Sequence, residues 1–246
     1  MKTRISKEDM EELFENNRVR ISEKIDAIIQ ESTREKKVLL AMDFDECVIK
    51  QHFSAMVTKH LWNRGIIEEI AEKNSVRKLT SLFHCYVGIS RDEFDDLLEE
   101  LFKKVEWKKD FIEAFTKTKG YEFILPVFIS SGVTEIAKHA LDSIGFGDTF
   151  VIADDLGYRD NKIYGPETIV SDQLKGDIVR EFSEKKDFDK IVTVGHSRGD
   201  VELIKNGTEG YRVSFRDQKE AMEAADVVID SWSELLELLQ FNNQLE

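Results

Sequence analysis

The chain alternates short apolar runs with longer amphipathic segments, and this pattern predicts an α/β fold. Each apolar run is hydrophobic throughout, which is typical of parallel strands that are buried on both faces. The runs that we assign to strands are residues 38–42, 123–129, 150–153, 191–194, 211–215 and 227–229. Helical patterns separate these runs, so we predict a doubly wound, mostly parallel sheet with helices on both sides.

Residues 1–36 are predicted to form an N-terminal helical extension. Ile21, Ile25, Ile28 and Ile29 recur at helical spacing and place an apolar stripe on one face of this helix. Because an apolar helix face needs a partner, we expect a contact with the helical insertion or with a second copy in a homodimer.

The segment between the first and second strands is predicted to be a helical insertion. Residues 51–119 contain no convincing strand, but they include a capping box of Ser90 with Glu93 and the amphipathic stretch "FDDLLEELFKKV". We predict that this segment forms a helical cap inserted after the first strand. Residues 37–50 and 120–246 would then form the core domain.

Composition and charge limit the partners and the compartment. The 246 residues carry a formal net charge of −14, which disfavours nucleic acid as the main ligand because phosphate backbones attract clustered Lys and Arg. A small anionic substrate remains compatible with this charge. Cys47 and Cys85 form no disulfide framework, and no apolar run approaches the roughly 18 residues that span a bilayer. We expect a cytoplasmic protein without nucleic-acid or membrane partners.

Two carboxylates directly follow the first predicted strand. Asp43 and Asp45 lie in "AMDFDEC", separated by one residue, so both side chains point the same way from an extended chain. Ligands of open parallel sheets bind at this end of the strands, and carboxylates this close need a cation between them. Two aspartates spaced in this way are, taken alone, more typical of a solvated loop, and the remaining strand ends decide between the two interpretations.

Other strand ends and helix starts carry candidate ligands of the same kind. These are Ser130, Ser131 and Gly132 after the second strand, Lys175 near the start of a helix, and His196 and Asp200 after the fourth strand. Hydroxyl and backbone N–H groups before a helix suit a phosphate, and a lysine at a helix start needs an anion nearby. Taken one at a time, the same residues are typical of helix caps, first-turn acids and surface lysines.

Taken together and in this order, the motifs resemble those of the haloacid dehalogenase (HAD) superfamily of phosphohydrolases. "DFDEC" is similar to the first motif, "SSG" to the second, Lys175 to the third and "GHSRGD" to the fourth. The insertion lies where the phosphoserine phosphatase-like branch carries its cap. The resemblance implies a HAD-like Rossmannoid core with a cap, and a small phosphorylated metabolite as the substrate.

The resemblance also implies roles for individual residues. Asp43 would be the nucleophile that forms an aspartyl phosphate, and Asp45 would act as general acid and then as general base. The phosphate-binding residues would be Ser130, Ser131, Gly132 and Lys175. Mg²⁺ would be bound by Asp43, the backbone carbonyl of Asp45 and an acid of the fourth motif, for which Asp200 is the candidate.

The chain departs from the family pattern at two positions. His196 stands where the fourth motif has a metal-binding aspartate, and imidazole suits Mn²⁺, iron or zinc better than Mg²⁺. Three outcomes are open: His196 binds a different metal, Asp200 takes over, or metal affinity is lost. Cys47 stands where Thr or Val is usual, and we interpret it as a small buried side chain. His52 and His84, in the insertion, are candidates for facing the substrate.

Three functions are compatible with these residues. The first is a metal-dependent phosphohydrolase that cleaves a small phosphate monoester, and the second is a catalytically weakened HAD-fold protein that binds a phosphorylated ligand or partner. The third is phosphotransfer to another acceptor on the same scaffold. The combination of Asp43, Asp45 and Lys175 favours an enzyme, whereas His196 favours the weakened binding protein.

Overall fold

The structure of the chain, a computed structural model, describes residues 7–32, 35–53, 56–57, 60 and 86–241. We number the helices and strands of these residues in chain order. They are α1 (Lys7–Glu31), β1 (Val38–Met42), α2 (Arg91–Phe102), α3 (Phe111–Lys119), β2 (Ile124–Val133), α4 (Thr134–Ser143), β3 (Phe150–Asp154), β4 (Leu156–Arg159), β5 (Lys162–Pro166), α5 (Asp172–Lys185), β6 (Lys190–Gly195), a 3₁₀ turn (Arg198–Asp200), α6 (Val201–Lys205), β7 (Arg212–Phe215), α7 (Lys219–Ala224), β8 (Val227–Ile229) and α8 (Trp232–Phe241).

The main sheet confirms the predicted fold class. Its six strands pair in parallel in the order β3-β2-β1-β6-β7-β8, and each one overlaps a strand predicted from an apolar run. The order of the strands reverses between β1 and β6, where Met42 pairs with Val194. In a doubly wound sheet this reversal opens a crevice at the carboxyl ends of the strands. The crevice is therefore the expected position of a ligand-binding site.

Helix α1 packs on one face of the sheet as part of the core. Ile21, Ile25 and Ile28 are buried in a cluster with residues of β1, β2, β3 and α5. The Asn17 side chain also donates to the carbonyl of Ile169 at 2.9 Å and accepts from its N–H at 2.8 Å. The apolar stripe predicted for this helix is thus covered within the molecule. The homodimer stays a prediction, but this surface is not its interface.

The described part of the insertion is helical. Helix α2 begins at the predicted capping box, in which Ser90 accepts from the N–H of Glu93, and the Glu93 side chain accepts from the N–H of Ser90. Helix α3 differs from the prediction, because Phe111 and Phe115 pack against Phe128 of β2 and α3 lies beside α8. These contacts place α3 with the core layer. The remaining division into cap and core stays a prediction, and residues 61–85 lie outside the described residues.

A two-stranded antiparallel hairpin, β4 with β5, joins β3 to α5. Asp160 and Asn161 form its turn with φ angles of 51° and 60°, a left-handed conformation that these two residue types tolerate better than most. Neither strand was predicted from the sequence, because both are short and partly exposed. Within the described part of the chain, no helix is long and apolar enough to cross a membrane.

Candidate active site

Asp43 and His196 extend the two neighbouring strands at which the order of the sheet reverses. Asp43 follows the last residue of β1, and its N–H donates to the carbonyl of Val194 in β6 at 3.0 Å. His196 follows the last residue of β6. Because both strands run in the same direction, the two side chains enter the crevice from adjacent positions. Both residues are buried, with 3% of Asp43 and 4% of His196 exposed.

Lys175 bridges two carboxylates at the floor of this crevice. Its Nζ atom lies 2.7 Å from Asp43 Oδ1 and 2.7 Å from Asp200 Oδ1. Burial alone lowers the pKa of Lys175, but the two carboxylates outweigh this effect and raise it above its usual value. Asp43 and Asp200 are thus the anions that the sequence predicted near this lysine. One of the three N–H donors of Lys175 is left for a further acceptor.

Asp200 is the most densely hydrogen-bonded carboxylate of the site. Its Oδ2 atom accepts from the N–H groups of His196 and Ser197, each at 3.0 Å, and from the Ser197 hydroxyl at 2.9 Å. Although burial raises the pKa of Asp200, Lys175 and these donors hold it well below its usual range. The carboxylate therefore fixes the loop after β6 and anchors Lys175. Its predicted role as a direct metal ligand would require one of its two engaged oxygens to accept a further partner.

The imidazole of His196 fills the space between Asp43, Asp200 and Cys47. Its Nδ1 atom lies 3.1 Å from Asp200 Oδ2, 3.4 Å from Asp43 Oδ2 and 3.6 Å from Cys47 Sγ. Burial lowers the pKa of His196, but hydrogen bonds with Asp200 and Asp43 raise it above its usual value. The Nε2 atom is buried, forms no hydrogen bond with the described residues and lies 3.7 Å from Glu46 Oε2.

Asp45 lies at the same strand end in a different environment from Asp43. The chain turns at Glu46, whose φ of 57° is left-handed, and Asp45 faces Nδ1 of His52 across 3.5 Å. Burial raises the pKa of Asp45 to about 6, and His52 opposes part of this rise. His52, which the sequence indicated only as a candidate for facing the substrate, therefore contacts the predicted general acid. His84 lies outside the described residues.

The predicted phosphate-binding run faces Asp45. Gly132 packs so close that a methyl group in place of its hydrogen would lie 3.5 Å from Asp45 Oδ2. Ser130 accepts a hydrogen bond from the N–H of Gly132 at 3.0 Å, whereas the buried hydroxyl of Ser131 has no hydrogen-bond partner among the described residues. The run belongs to the irregular end of β2, and α4 begins only at Thr134, so these residues are not the helix cap that the sequence suggested.

Cys47 is buried beside His196, a contact that the sequence pattern did not predict. Its carbonyl accepts from Nε1 of Trp232 at 3.0 Å, which holds the backbone against α8. Burial raises the pKa of the Cys47 thiol to about 12. Asp43, Cys47 and His196 each offer a ligand atom, and these three atoms all lie within 4.8 Å of one another. One feature of the sequence could have indicated this contact: Cys47 and His196 are the two positions that depart from the family motifs.

The side-chain atoms that meet at this strand end do not fit Mg²⁺, because this ion takes oxygen ligands in near-octahedral geometry. Lys175 engages Asp43 Oδ1 and Asp200 Oδ1, while three donors engage Asp200 Oδ2. Asp43 Oδ2 remains, and its neighbours include the His196 imidazole and the Cys47 thiol. The Mg²⁺ set that the sequence suggested, Asp43, Asp45 and Asp200, stays a prediction that this arrangement of donors does not favour.

Comparison with known proteins supports the α/β fold described above. The sequence matches no family model and no curated protein. Solved structures with the same fold include a phosphoserine phosphatase carrying an analogue of its phospho-aspartyl intermediate, with 16% identity, a TM-score of 0.61, and coverage of 82% of this chain and 98% of the other.

Two further solved structures extend this likeness. A HAD family hydrolase from Salmonella enterica has 11% identity and a TM-score of 0.63, with coverage of 82% of this chain and 71% of the other. A probable phosphoserine phosphatase from Vibrio cholerae has 14% identity and a TM-score of 0.61, with coverage of 89% and 70%. The HAD-like, phosphoserine phosphatase-like fold predicted from the motifs is confirmed.

Proposed function

We propose that the protein is a phosphohydrolase that cleaves a small phosphate monoester through an aspartyl phosphate on Asp43. The observation that carries this proposal is the contrast between two neighbouring carboxylates. Asp43 is paired with the ammonium of Lys175, whereas burial raises the pKa of Asp45 to about 6. A carboxylate that is ion-paired suits the nucleophile, and a buried carboxylate that holds a proton more readily suits the general acid.

The first half of the reaction transfers the phosphoryl group to the protein. A carboxylate oxygen of Asp43 attacks phosphorus, and the bond between phosphorus and the ester oxygen breaks. The carboxylic acid of Asp45 gives its proton to the departing oxygen, so that an alcohol leaves and Asp45 becomes a carboxylate. Lys175 has one N–H left to hold a phosphoryl oxygen, and the hydroxyl of Ser131, which has no partner in the described part of the chain, is a second donor.

The second half releases phosphate and restores the site. The Asp45 carboxylate takes a proton from water as the water oxygen attacks phosphorus. The bond between phosphorus and the Asp43 oxygen breaks, which returns Asp43 as a carboxylate and frees inorganic phosphate. Lys175 stays paired with Asp200 throughout, so its charge is available at every stage.

The substrate class follows from the same residues. The remaining N–H of the Lys175 ammonium and the hydroxyl of Ser131 suit the oxygens of a single phosphoryl group, and we propose a small phosphorylated metabolite as the substrate in a cytoplasmic setting. The solved phosphoserine phosphatases support a phosphatase through their fold and do not identify the substrate. The competing function is binding of a phosphorylated ligand without turnover, which is favoured by the imidazole of His196 at the fourth motif.

Release of inorganic phosphate tests the proposal. The full chain is assayed against a panel of small phosphate monoesters with Mg²⁺, Mn²⁺ or Zn²⁺, beside Asp43→Asn and the exposed control Asp172→Asn. We expect turnover in the wild type and in the control, and a loss of at least about a thousandfold in Asp43→Asn, because the amide is not a nucleophile. Binding of phosphorylated compounds without any phosphate release would instead establish the binding protein. Transfer to an added alcohol in preference to water would establish a phosphotransferase.

A further inference from the structure

The two residues that depart from the family motifs contact each other in the structure. Cys47 Sγ lies 3.6 Å from His196 Nδ1, although 149 positions separate them in the sequence. Both are buried, as is Asp43, whose Oδ2 atom lies 3.4 Å from the same nitrogen. A carboxylate oxygen, a thiol sulfur and an imidazole nitrogen thus converge on one point at the end of β1 and β6.

Two of the three separations among these atoms are those of ligands around a tetrahedral ion, and the third pair, Cys47 Sγ and Asp43 Oδ2, lies within 4.8 Å. Zinc bonds of about 2.3 Å to sulfur and about 2.0 Å to nitrogen and oxygen place sulfur and nitrogen about 3.5 Å apart, and nitrogen and oxygen about 3.3 Å apart. The observed separations are 3.6 Å for Cys47 Sγ to His196 Nδ1 and 3.4 Å for His196 Nδ1 to Asp43 Oδ2. Little movement is therefore needed to place an ion among the three atoms.

The surrounding hydrogen bonds allow all three atoms to bind an ion once His196 Nδ1 and the Cys47 thiol have released their protons, as metal binding requires. Lys175 engages Oδ1 of Asp43 and leaves Oδ2 facing His196. Asp200 Oδ2 keeps three other donors if His196 Nδ1 turns its lone pair to an ion. The ligand set is mixed, with a sulfur and a nitrogen, and such donors select zinc-type transition metals over Mg²⁺.

Glu46 completes the arrangement from the other side of the imidazole. A histidine that binds a metal through one nitrogen usually gives the proton on its second nitrogen to a carboxylate, which fixes the ring. His196 Nε2 is buried without a hydrogen bond among the described residues, and Glu46 Oε2 lies 3.7 Å away. A small movement of the Glu46 side chain, which is 42% exposed, closes this bond.

We propose that Asp43 Oδ2, Cys47 Sγ and His196 Nδ1 bind a divalent transition metal ion of the zinc type, with Glu46 accepting the proton of His196 Nε2. Three protein ligands leave a tetrahedral ion one position for an oxygen from outside the chain, as in catalytic zinc sites. The inference deepens the proposed function, on which its catalytic meaning rests. The binding itself depends only on the three ligand atoms.

Cobalt spectroscopy tests the site without substrate. Co²⁺ alone is titrated into the metal-free full chain, and the wild type is expected to show a thiolate-to-cobalt charge-transfer band and the intense visible absorption of a tetrahedral ion. Cys47→Ser should lose the charge-transfer band, while Cys85→Ser, the matched control at the other cysteine, should keep it. Excess Mg²⁺ should leave the band unchanged, and Zn²⁺ should remove it by displacement.

Two results would overturn the inference: absence of the band in the wild type, or a band that persists in Cys47→Ser. If Cys47→Ser does not fold, X-ray absorption of the wild type loaded with Zn²⁺ decides, because the proposal requires one sulfur in the coordination shell. A charge-transfer band without phosphate release would support the metal site and contradict the proposed function. Phosphate release without the band would support the proposed function and contradict the metal site.

Discussion

The Nζ atom of Lys175 lies 2.7 Å from Oδ1 of Asp200, and at most 5% of either side chain is exposed. Asp43 contacts the same ammonium, so Lys175 is the shared counter-ion of two buried carboxylates. Lys175→Met should abolish turnover and lower the free energy of unfolding by about 3–5 kcal/mol, because it leaves buried charge without a partner. Chemical denaturation measures this loss. Adding Asp200→Asn should recover part of the stability but no activity, and equal stability of both variants would contradict the charge argument.

The pH profile should report Asp45 as the general acid. Since its pKa is raised to about 6, the protonated fraction falls as the pH rises through that value, and kcat/KM should fall above about pH 6 for substrates with poor leaving groups. His52 lowers this pKa, so His52→Gln should move the falling limb to higher pH. The control His139→Gln, on α4, should leave the limb in place. A profile that is identical in both variants and the wild type would assign the limb to another group.

Helix α1 should contribute to stability as a core element. Ile25 is fully buried against the sheet, and Ile25→Ala is expected to lower the free energy of unfolding by about 2–5 kcal/mol. Val19, on the same helix, is 56% exposed, so Val19→Ala should change stability by less than about 0.5 kcal/mol. Urea denaturation of the full chain compares the two. Similar small effects at both positions would show that α1 is not docked as described.

Glu135 should make stability depend on pH. Burial raises its pKa from 4.5 to about 7, so the folded chain binds more protons than the unfolded chain between these values, and this residue's contribution to stability falls as the pH rises from 4.5 to 7. Glu135→Gln removes this dependence. Its Tm should therefore exceed that of the wild type at pH 8 and match it more closely at pH 4.5. The exposed Glu113→Gln, whose pKa is lowered by Lys117, should show no such gain.

The sequence predicted the sheet because its strands are buried on both faces. Uniform apolar runs leave little ambiguity about such strands, and their order with the motifs also placed Asp43 at the correct end of β1. The hairpin of β4 and β5 escaped prediction, since strands of four and five residues with exposed positions resemble a loop. Helix α3 was assigned to the insertion because an amphipathic pattern does not reveal which surface it covers.

The sequence indicated which residues lie near one another at the strand ends, but not which of their atoms are in contact. Lys175 was expected to face an anion, and the structure supplies two, but which oxygens it binds depends on how three separate elements converge. The contact of Cys47 with His196 joins residues far apart in the sequence, so no local pattern could indicate it. Asp200 was a candidate metal ligand from its motif, and the motif did not indicate that its carboxylate accepts hydrogen bonds from Lys175 and from the turn immediately before it.

The docking of α1 has a consequence for the order in which the chain folds. Asn17 bonds to Ile169, 152 positions later, and Arg18 pairs with Asp177, 159 positions later. During synthesis, the apolar stripe of α1 is therefore complete long before the helix that covers it has been made. Contacts of such long range slow folding, and the stripe stays exposed to other chains during this interval. Newly made copies are accordingly most prone to aggregate before α5 has emerged.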